Sequence, residues 1–431
     1  MPGEGNSMYT KAKVLITTVP TEVLISHDGL NNHNVDRTDT YQAWTQAIEE
    51  KHQIRIGCPP AGLRFLKANI PRIDILEYPT WEQYQSALED AYDLVGISYF
   101  TCSMNALPRM VRMARDAGVK EVWGGCYGVL TPGSERLFDR IFTGSGENVL
   151  YELLEGGRLD RIKHPAIISD LRYRVFSSKV GYLYTKRGCN MKCSFCSTHV
   201  FLPSEEPISM VEIEKVLDVY RREGVTNVVI YDETFMTDVE HSLAVAGALA
   251  ERELPWVCLT RADRIKDRLS QLSDLYMEGA IIGVESFRET SLQGIGKRQK
   301  AENIEKTIKE MVRLGLRTVG TYMICHHDDT VESVYADIQR LSSLGLFLAQ
   351  ITILTPFPAT PLWFELENRI IDTDWNHYDA YHLVWDHPYI TPGEARDLLT
   401  HAQVTINDPT RYSKALRPRP KGGVPEIYES L

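Results

Sequence analysis

Long apolar runs are absent from this sequence of 431 residues, and no stretch approaches the roughly 20 residues that cross a bilayer. Positive charge is also scarce, because 47 Lys and Arg residues accompany 58 Asp and Glu residues and leave a net charge of −11. This balance argues against general nucleic-acid binding, which depends on a basic surface. The N-terminus lacks the pattern of a secretory signal, so we expect a cytoplasmic protein without membrane or nucleic-acid partners.

Cysteines are few, and only one group of them is clustered. Of eight cysteines, Cys189, Cys193 and Cys196 form a C-x3-C-x2-C pattern. A structural zinc site usually needs four ligands, often two C-x2-C pairs, so zinc would require His199 as well. Three thiolates on one short loop can instead hold three irons of a [4Fe–4S] cluster, which leaves the fourth iron free to bind a substrate or cofactor.

Short β-rich runs alternate with amphipathic helical patterns along the chain, which predicts an α/β fold with parallel sheets. In the N-terminal part we predict strands at Val14–Thr17, Leu94–Ser98 and Glu121–Gly125. Ligands bind beyond the carboxyl ends of such strands. We therefore expect a ligand site at residues 98–101, 124–127 and 144–147.

A second series contains six strand–helix units, whose strands end near Lys186, Tyr231, Thr260, Glu285, Cys325 and Thr355. Six units predict a partial (β/α)6 barrel with its active site at the carboxyl ends of the strands. The predicted order is a flexible N-terminus (1–12), a doubly wound Rossmann-like domain (13–158), a linker (159–179), the barrel (180–365) and a short C-terminal extension with a tail (366–431).

The cysteine loop resembles that of the radical S-adenosylmethionine (SAM) superfamily, in which an aromatic residue, here Phe195, precedes the last cysteine. The resemblance implies a [4Fe–4S] cluster on Cys189, Cys193 and Cys196, and SAM bound at the open iron. It also implies an external one-electron reductant of the flavodoxin or ferredoxin type, with Phe195 beside the cofactors. The two conditions that make the motif specific, a strand before the loop and a partial barrel after it, are both predicted here.

The N-terminal segments resemble the cobalamin-binding-type domain of one large class of this superfamily. That resemblance places cobalamin against Gly124, Gly125 and Tyr127. The Asp-x-His-x-x-Gly motif that ligates cobalt is absent, as is normal for the class, but the class usually has Pro-His after its paired glycines, whereas this chain has Cys126-Tyr127. Cobalamin is therefore left open.

The superfamily pattern also implies a contact to the SAM amino group. Asp232 and Glu233 follow the second barrel strand, in the place of the segment that makes this contact. A carboxylate suits an ammonium group, so either residue could provide it. Alternatively, Asp232 or Thr234 could cap the following helix.

The ribose and the carboxylate of SAM are expected to meet residues after the third and fourth strands. The resemblance implies that Glu285, next to Ser286, accepts hydrogen bonds from the ribose hydroxyls. Lys297 or Arg298 would pair with the SAM carboxylate, and the pattern does not separate these two bases. Arg261 could reach the same carboxylate, contact the substrate, or form only a surface ion pair.

The fifth barrel strand runs into four ionisable residues, where relatives usually have a Gly-x-Pro-Gly-Glu-Thr turn. These residues are His326, His327, Asp328 and Asp329. Histidine suits proton transfer near neutral pH, and adjacent carboxylates can orient it. Asp328, Asp329 or Thr330 could also cap the next helix. We predict acid–base catalysis by His326, His327, Asp328 and Asp329.

The resemblance implies an enzyme that makes a 5′-deoxyadenosyl radical and removes hydrogen from a small polar substrate. The favoured outcome is radical dehydration or deoxygenation of a hydroxylated, cationic amine such as an aminoglycoside precursor, with a dedicated reductase as a further partner. The acid–base turn and the missing Pro-His pair favour this outcome. The alternatives are cobalamin-dependent C-methylation and an iron–sulfur electron carrier, and the carrier would leave Glu285 and the barrel without a role.

Overall fold

The computed structural model describes residues 9–21, 23, 59–173 and 176–407. Most of the predicted flexible N-terminus and the predicted tail around Arg417–Gly423 lie outside these residues. Among the helices of the described part, none has the length and apolar character needed to cross a membrane.

The N-terminal domain is built on a parallel five-stranded sheet with the order β2-β1-β3-β4-β5. Its strands are β1 (Val14–Thr18), β2 (Asp74–Leu76), β3 (Leu94–Ser98), β4 (Glu121–Gly125) and β5 (Arg140–Ile141). The helices of this domain are α1 (Ala61–Asn69), α2 (Trp81–Leu88), α3 (Leu107–Asp116) and α4 (Gly146–Glu155).

Two separate apolar cores cover the two faces of this sheet, as alternation along a strand requires. Leu15 and Val95 pack in a core with residues of α2 and α3. Their neighbours Val14 and Leu94 pack in another core with residues of α1 and α4. The domain is therefore doubly wound, as predicted, and its ligand edge lies beyond β3 and β4.

The second sheet has seven strands in the order β14-β13-β12-β11-β10-β7-β6. Its strands are β6 (Ile168–Tyr173), β7 (Phe176–Leu183), β10 (Asn227–Ile230), β11 (Trp256–Thr260), β12 (Met277–Glu285), β13 (Arg317–Ile324) and β14 (Leu348–Ile353). Six of them are parallel neighbours, and β6 pairs antiparallel with β7. The predicted partial barrel of six parallel strands is confirmed.

Shorter elements follow β7, where the cysteine loop lies. They are the strand pair β8 (Lys186–Arg187) and β9 (Glu206–Pro207), and the one-turn helix α5 (Thr198–Phe201). The barrel helices are α6 (Met210–Arg222), α7 (Val239–Glu251), α8 (Ala262–Ile265), α9 (Leu269–Asp274), α10 (Glu289–Gly294), α11 (Ala301–Arg313), α12 (Val331–Ser342) and α13 (Pro361–Leu366).

Local sequence explains where the longer barrel helices begin and which face they bury. In α6, Ile213, Val216, Leu217 and Tyr220 are buried at the spacing of one helix face. Helix α12 begins after Thr330, whose side chain accepts a hydrogen bond from the backbone of Ser333 in a capping box. Buried faces of this kind fix the helices around the barrel strands.

The last helix in the described part of the C-terminal extension is α14 (Pro392–Ile406), which packs along α12 and β14. Just beyond it, the Asn407 side chain accepts a hydrogen bond from the Ala349 backbone N–H and donates one to the Ala349 carbonyl, both at 2.8 Å. At the other edge of the sheet, β6 and the first residues of β7 lie within the range predicted as a linker. The predicted boundaries of the domains stay predictions.

Candidate active site

The three clustered cysteines lie on a tight loop that leaves the barrel after β8. Cys189 and Cys193 are buried, with 6% and 8% of their surfaces exposed, and Cys196 is half-buried. Gly188 begins the loop with a φ of +75°, and a Cβ there would lie 2.1 Å from the Ser204 carbonyl oxygen. The turn before the first cysteine therefore requires glycine.

Two neighbouring segments hold the loop in place through its backbone. The Ser194 N–H donates to the Ile295 carbonyl at 3.0 Å, and the Leu362 N–H donates to the Ser194 carbonyl at 2.9 Å. Gly296, at φ +68°, approaches closely enough that a Cβ would lie 3.1 Å from the Lys192 oxygen. The loop is thus enclosed between the residues before α11 and the start of α13.

The chemistry of the loop suits a cofactor that stabilises thiolates. Burial raises the pKa of the Cys193 and Cys196 thiols, so a metal cofactor would supply the positive charge that deprotonation needs. Among the described residues, His199 included, no three Cys, His, Asp or Glu side chains converge on one metal ion. Each thiolate of a cluster binds a different iron, so a [4Fe–4S] cluster does not require such convergence.

Asp232 and Glu233, after β10, have different environments. Asp232 is fully buried and accepts hydrogen bonds from the Thr185 hydroxyl and from the Thr185 N–H, the latter at 2.7 Å. Burial raises its pKa to about 6 against the effect of these bonds. The Oε2 atom of Glu233 is buried without a hydrogen-bond partner, and burial raises the pKa of this group too. Glu233 is therefore the carboxylate with an oxygen left for a ligand.

The capping alternative for this segment is wrong. The next helix, α7, does not begin until Val239, and its N-cap is Asp238, whose side chain accepts a hydrogen bond from the His241 N–H. Thr234 instead lies 3.7 Å from the Cys189 sulfur through its hydroxyl oxygen. The segment after β10 thus faces the cysteine loop.

Glu285, at the end of β12, forms a buried ion pair with Lys297. The Lys297 Nζ atom lies 2.8 Å from Oε1 of Glu285, and the two side chains are 5% and 10% exposed. A Cβ on Gly283 would lie 2.4 Å from Nζ and 2.6 Å from Oε1, so any side chain at this position would have to displace the ends of the paired side chains. Glu285 also has a φ of +67°, a strained value that is common at functional sites. Arg298 is exposed, whereas Lys297 is buried. Burial therefore distinguishes these two bases, between which the sequence could not choose.

Arg261 is not the surface ion pair that we considered. Its side chain is buried, pairs with Asp263 at 3.0 Å and donates to the Lys297 carbonyl at 2.6 Å. Arg261 thus fixes the backbone that carries Lys297. Ser286, the residue after Glu285, is fully buried and accepts a hydrogen bond from the Arg288 N–H at 3.1 Å.

Three of the four ionisable residues after β13 bond to residues at or just after the ends of β12 and β13. His326 is buried, its Nε2 lies 3.0 Å from the Glu285 carbonyl oxygen, and burial lowers its pKa. Asp329 accepts a hydrogen bond from the His326 N–H and pairs with Arg288. Asp328 accepts a hydrogen bond from Ser291 at 2.8 Å. These contacts join the ends of β12 and β13.

His327 differs from its three neighbours because it is exposed. Its Nε2 lies 3.2 Å from Nη1 of Arg369, and its ring stacks on Trp385 with a centroid distance of 6.4 Å. The next helix is capped by Thr330, as one alternative predicted. None of His326, His327, Asp328 and Asp329 lines the large cavity described next, and their catalytic role stays a prediction.

A cavity of about 550 Å³ lies between the ligand edge of the N-terminal sheet and the mouth of the barrel. The predicted segments at 124–127 and 144–147 line it from one side, and Tyr231, Asp232 and Glu233 line it from the other. Gly125 leaves open space, with no atom within 4 Å of where its Cβ would lie. Most of the wall is apolar or aromatic, including Leu63, Phe65, Phe100, Trp123, Phe142, Leu150 and Phe201.

Cys126 lines this cavity in a backbone conformation that proline cannot adopt. Its φ is +71° and its ψ is −177°, whereas the proline ring holds φ near −65°. Proline could therefore not replace Cys126 without a change of this backbone. Burial raises the pKa of the Cys126 thiol. The next residue, Tyr127, packs its ring against Phe201 of α5 at 4.7 Å, so the loop contacts the element that follows the cysteines.

Sequence reasoning missed the pair that Arg187 forms with Glu147. Arg187 precedes Gly188, Glu147 lies in the first turn of α4, and Nη1 of Arg187 is 2.5 Å from Oε2 of Glu147. The guanidinium also lies over the Phe65 ring at 4.0 Å, and its Nη2 is buried without a hydrogen-bond partner. No spacing rule connects residues 40 positions apart, so the sequence held no signal for this pair.

Comparisons with known proteins agree with this architecture. Residues 183–341 match the family model described as the radical SAM superfamily. An uncharacterized methyltransferase of Pyrococcus horikoshii is 23% identical over 359 residues, which cover 73% of this chain and 78% of that protein. The bacteriochlorophyllide d C-8(2)-methyltransferase of Chlorobaculum tepidum is 24% identical over 328 residues, covering 68% and 73%.

Among solved structures, the radical SAM methyltransferase TsrM of Kitasatospora setae is similar in both domains. Its complex with tryptophan and a SAM analogue has a TM-score of 0.66 and 14% identity, covering 93% of this chain and 90% of that one. Its complex with cobalamin and a [4Fe–4S] cluster has a TM-score of 0.60, covering 84% and 78%. The chain therefore carries a radical SAM domain, the kind of domain that uses a [4Fe–4S] cluster and SAM, in the two-domain fold of a cobalamin-bound member of that superfamily.

Proposed function

We propose that this protein is a cobalamin-dependent radical SAM methyltransferase acting on a small molecule. The observation that carries the proposal is the cavity shared by the ligand edge of the N-terminal sheet and the barrel mouth. One cavity bounded by both domains suits a methyl carrier on one side and, at Glu233 in its wall, SAM chemistry on the other. The two sequence relatives are named as methyltransferases, which supports the same choice.

The residues around the cysteine loop fit a SAM molecule. We assign the SAM amino group to Glu233, because its Oε2 is buried without a partner. We assign the ribose to Glu285 and the SAM carboxylate to Lys297, because their ion pair leaves further N–H groups on Nζ and a second oxygen on the carboxylate. Arg261 positions Lys297 through its carbonyl. Asp232 holds Thr185, and Arg298 is exposed.

The loops at the ligand edge fit a large planar cofactor. Gly124, Gly125 and Tyr127 would hold cobalamin together with residues 144–147, and bound cobalamin would supply a carrier for the transferred methyl group. The open space at Gly125 and the apolar wall provide a dry surface for the ring. Cys126, whose backbone has a strained φ of +71°, stands at the position where the class usually has proline.

Radical dehydration of a hydroxylated amine was the favoured interpretation of the sequence, and it now has less support. It rested on the turn from His326 to Asp329, and His326, Asp328 and Asp329 bind Glu285, Ser291 and Arg288 instead of facing the cavity. The cavity wall is also mainly apolar, which does not suit a polyhydroxylated amine. Methylation requires neither feature.

The test is to express the protein with cobalamin available, reconstitute it with iron and sulfide, reduce it with a strong chemical reductant so that the cobalt reaches the Co(I) state, and incubate it anaerobically with SAM labelled in its methyl group. We expect about one cobalt per chain and transfer of the label to cobalamin before any substrate is added. The Cys189→Ala/Cys193→Ala/Cys196→Ala variant is the matched control, and it should keep cobalt while losing iron. A wild-type protein with a full cluster but without cobalt would overturn the proposal.

A further inference from the structure

Two buried histidines connect the C-terminal extension to Glu285 at the end of β12. The Nε2 atom of His387, in the extension, lies 2.7 Å from the carbonyl oxygen of His326. The Nε2 atom of His326 in turn lies 3.0 Å from the carbonyl oxygen of Glu285. The two histidines are 7% and 2% exposed, so these bonds lie out of contact with bulk water. We call His387 and His326 the histidine bridge.

The hydrogen bonds define where the rings of the histidine bridge carry their protons. A carbonyl oxygen only accepts, so the Nε2 atoms of His326 and His387 both donate. The Nδ1 atom of His387 accepts from the N–H groups of Tyr389 and Ile390, at 3.2 and 3.1 Å, and therefore carries no proton. Burial lowers the pKa of both histidines, in agreement with neutral rings. His387 is thus held as a neutral donor toward the end of β13.

The backbone of Glu285 has a conformation that its surroundings must enforce. Its φ of +67° is uncommon for a residue with a side chain, and such strain persists only where neighbouring groups hold it. The register of β12 against β13 shifts between Gly283 and Glu285, and a shift of this kind changes the direction of a side chain. The bond from His326 fixes the Glu285 carbonyl next to this shift.

The direction of the Glu285 side chain matters because its carboxylate is shared. Its Oε1 atom accepts from Lys297 Nζ at 2.8 Å and from the Thr321 hydroxyl at 3.4 Å. A group that binds a ligand has to be held to within about 0.5 Å of its productive position. The His326 backbone is itself bonded on both sides, because its N–H donates to Asp329 at 2.8 Å and its carbonyl accepts from the extension.

We propose that His326 and His387 are positioning residues for SAM binding, which hold the Glu285 backbone so that its carboxylate points at the ribose. This inference rests on the proposed function, because that function assigns the ribose to Glu285. It makes the C-terminal extension part of the SAM site through His387, although none of the residues assigned to SAM belongs to the extension. The role requires no proton transfer and no bond to SAM from either histidine.

The experiment is equilibrium dialysis of labelled SAM against the reconstituted protein. His326→Leu removes the donor to the Glu285 carbonyl, and we expect about a tenfold loss of SAM affinity. His326→Gln should restore most of that affinity, because the glutamine amide supplies an N–H near the place of Nε2. His387→Asn keeps the acceptor for its own turn and loses the donor to His326, so we expect about a threefold loss. His401→Gln, exposed on α14, is the matched control and should bind SAM like wild type.

The same measurement in a Glu285→Ala background separates positioning from a general loss of structure. Without the carboxylate there is nothing to direct, so adding His326→Leu or His387→Asn should cause no further loss of SAM affinity. A merely structural role would weaken SAM binding in both backgrounds, and that result would overturn the inference. Wild-type affinity in His326→Leu and His387→Asn would also overturn it. If His326→Leu does not fold, as judged by its iron content and thermal midpoint, His387→Asn decides in the two backgrounds.

SAM affinity and methyl transfer are separate readings, so the two proposals can fail independently. A protein that binds SAM through Glu285 but holds no cobalt would overturn the methyltransferase proposal and leave the role of the histidine bridge intact. A protein that transfers the methyl group to cobalamin, with SAM affinity unchanged in the histidine variants, would overturn only the inference. Wild-type SAM affinity in Glu285→Ala alone would remove the ribose assignment and the inference with it.

Discussion

Arg187 and Glu147 join the cysteine loop to the N-terminal domain through a buried ion pair, with Nη1 and Oε2 2.5 Å apart. The side chains are 13% and 2% exposed. Removing one partner of a buried pair leaves the other charge uncompensated, which destabilises proteins by about 3–5 kcal/mol. The pair therefore joins the two domains at the point where the cysteine loop begins.

We expect Arg187→Gln to lower the free energy of unfolding by about 3 kcal/mol in urea titrations of the apo protein. The Arg187→Gln/Glu147→Gln double variant should lose less than the sum of the single changes, because it leaves no lone charge. Lys120→Gln, which breaks the exposed pair with Asp93, should change stability by no more than about 1 kcal/mol. Additive effects of the two buried substitutions would contradict this account.

Gly283→Ala should weaken SAM binding. The new Cβ would lie 2.4 Å from the Lys297 Nζ atom and must displace the Glu285–Lys297 pair. We expect at least about a tenfold loss of SAM affinity, the equivalent of 1.4 kcal/mol, in equilibrium dialysis of the reconstituted protein. Gly247→Ala is the matched control, because no atom lies within 4 Å of its Cβ position on α7. Unchanged SAM affinity in Gly283→Ala would show that the pair does not bind SAM.

Cys126→Gly should be more stable than Cys126→Ala. Both variants lose the thiol, but only glycine relaxes the φ of +71° and ψ of −177°. Strain of this kind contributes about 1–3 kcal/mol, partly offset by the greater entropy of glycine in the unfolded chain. Thermal unfolding of the two variants measures the difference directly. Cys126→Pro, which cannot take this conformation, should be the least stable of the three, and equal midpoints would remove the strain argument.

His164 should make the fold less stable in mild acid. Burial lowers its pKa to about 4, below the ordinary value of 6.5, while its Nε2 accepts a hydrogen bond from the Tyr184 N–H at 2.9 Å. Between these pH values the unfolded chain binds the proton and the folded chain does not, so stability rises with pH. The stabilisation is complete above pH 6.5 and amounts to about 3 kcal/mol.

The check is urea unfolding of wild type and His164→Gln at pH 5 and pH 7. Glutamine can keep an acceptor for the Tyr184 N–H but does not titrate, so the variant should lose part of the pH dependence. His326 also has a lowered pKa from burial and contributes in the same direction, so the slope should fall without disappearing. Identical slopes in the two proteins would rule out His164 as a contributor.

Single replacements of Cys189, Cys193 or Cys196 by alanine should remove the cluster absorbance and all cleavage of SAM to 5′-deoxyadenosine. Each thiolate binds one iron, and no other cysteine of the described residues is placed on this loop. Cys258→Ala is the control, because Cys258 is buried in β11 and should not affect iron content. A full iron–sulfur spectrum in the triple alanine variant would refute the assignment of the loop.

The strands that the sequence predicted best are the buried ones. Leu94–Ser98 and Glu121–Gly125 were predicted to the residue, because buried parallel strands form short, continuous apolar runs. Strands β2 and β5 have three and two residues, too few for a periodic pattern. Strand β6 lies in the range that Pro165 and the Ser177-Ser178 pair led us to assign to a linker, and it pairs only with β7, at the edge of the sheet.

The candidate site was predicted in the same uneven way. Local spacing identified the cysteine loop, because its three thiols lie within eight residues. Local spacing could not show which of Lys297 and Arg298, or which of Asp232 and Glu233, would contact SAM. Neighbouring residues in a loop differ in their surroundings, and segments distant in the sequence form those surroundings. The acid–base role of His326, Asp328 and Asp329 stays a prediction, and the sequence could not show that Arg288 and the Glu285 carbonyl contact this turn.

The side chain of Asn407 pairs with the backbone of the last strand of the partial barrel. A half-barrel does not close, so its last strand would offer its free backbone groups to any other extended chain. On β14, the Asn407 amide supplies the Ala349 backbone with one acceptor and one donor, as a further strand would, while α14 covers the same strand. A protein shortened before Pro392 would keep every cofactor-binding residue proposed above. It would, however, expose the unpaired backbone groups of β14, so we expect it to aggregate before it loses any chemical activity.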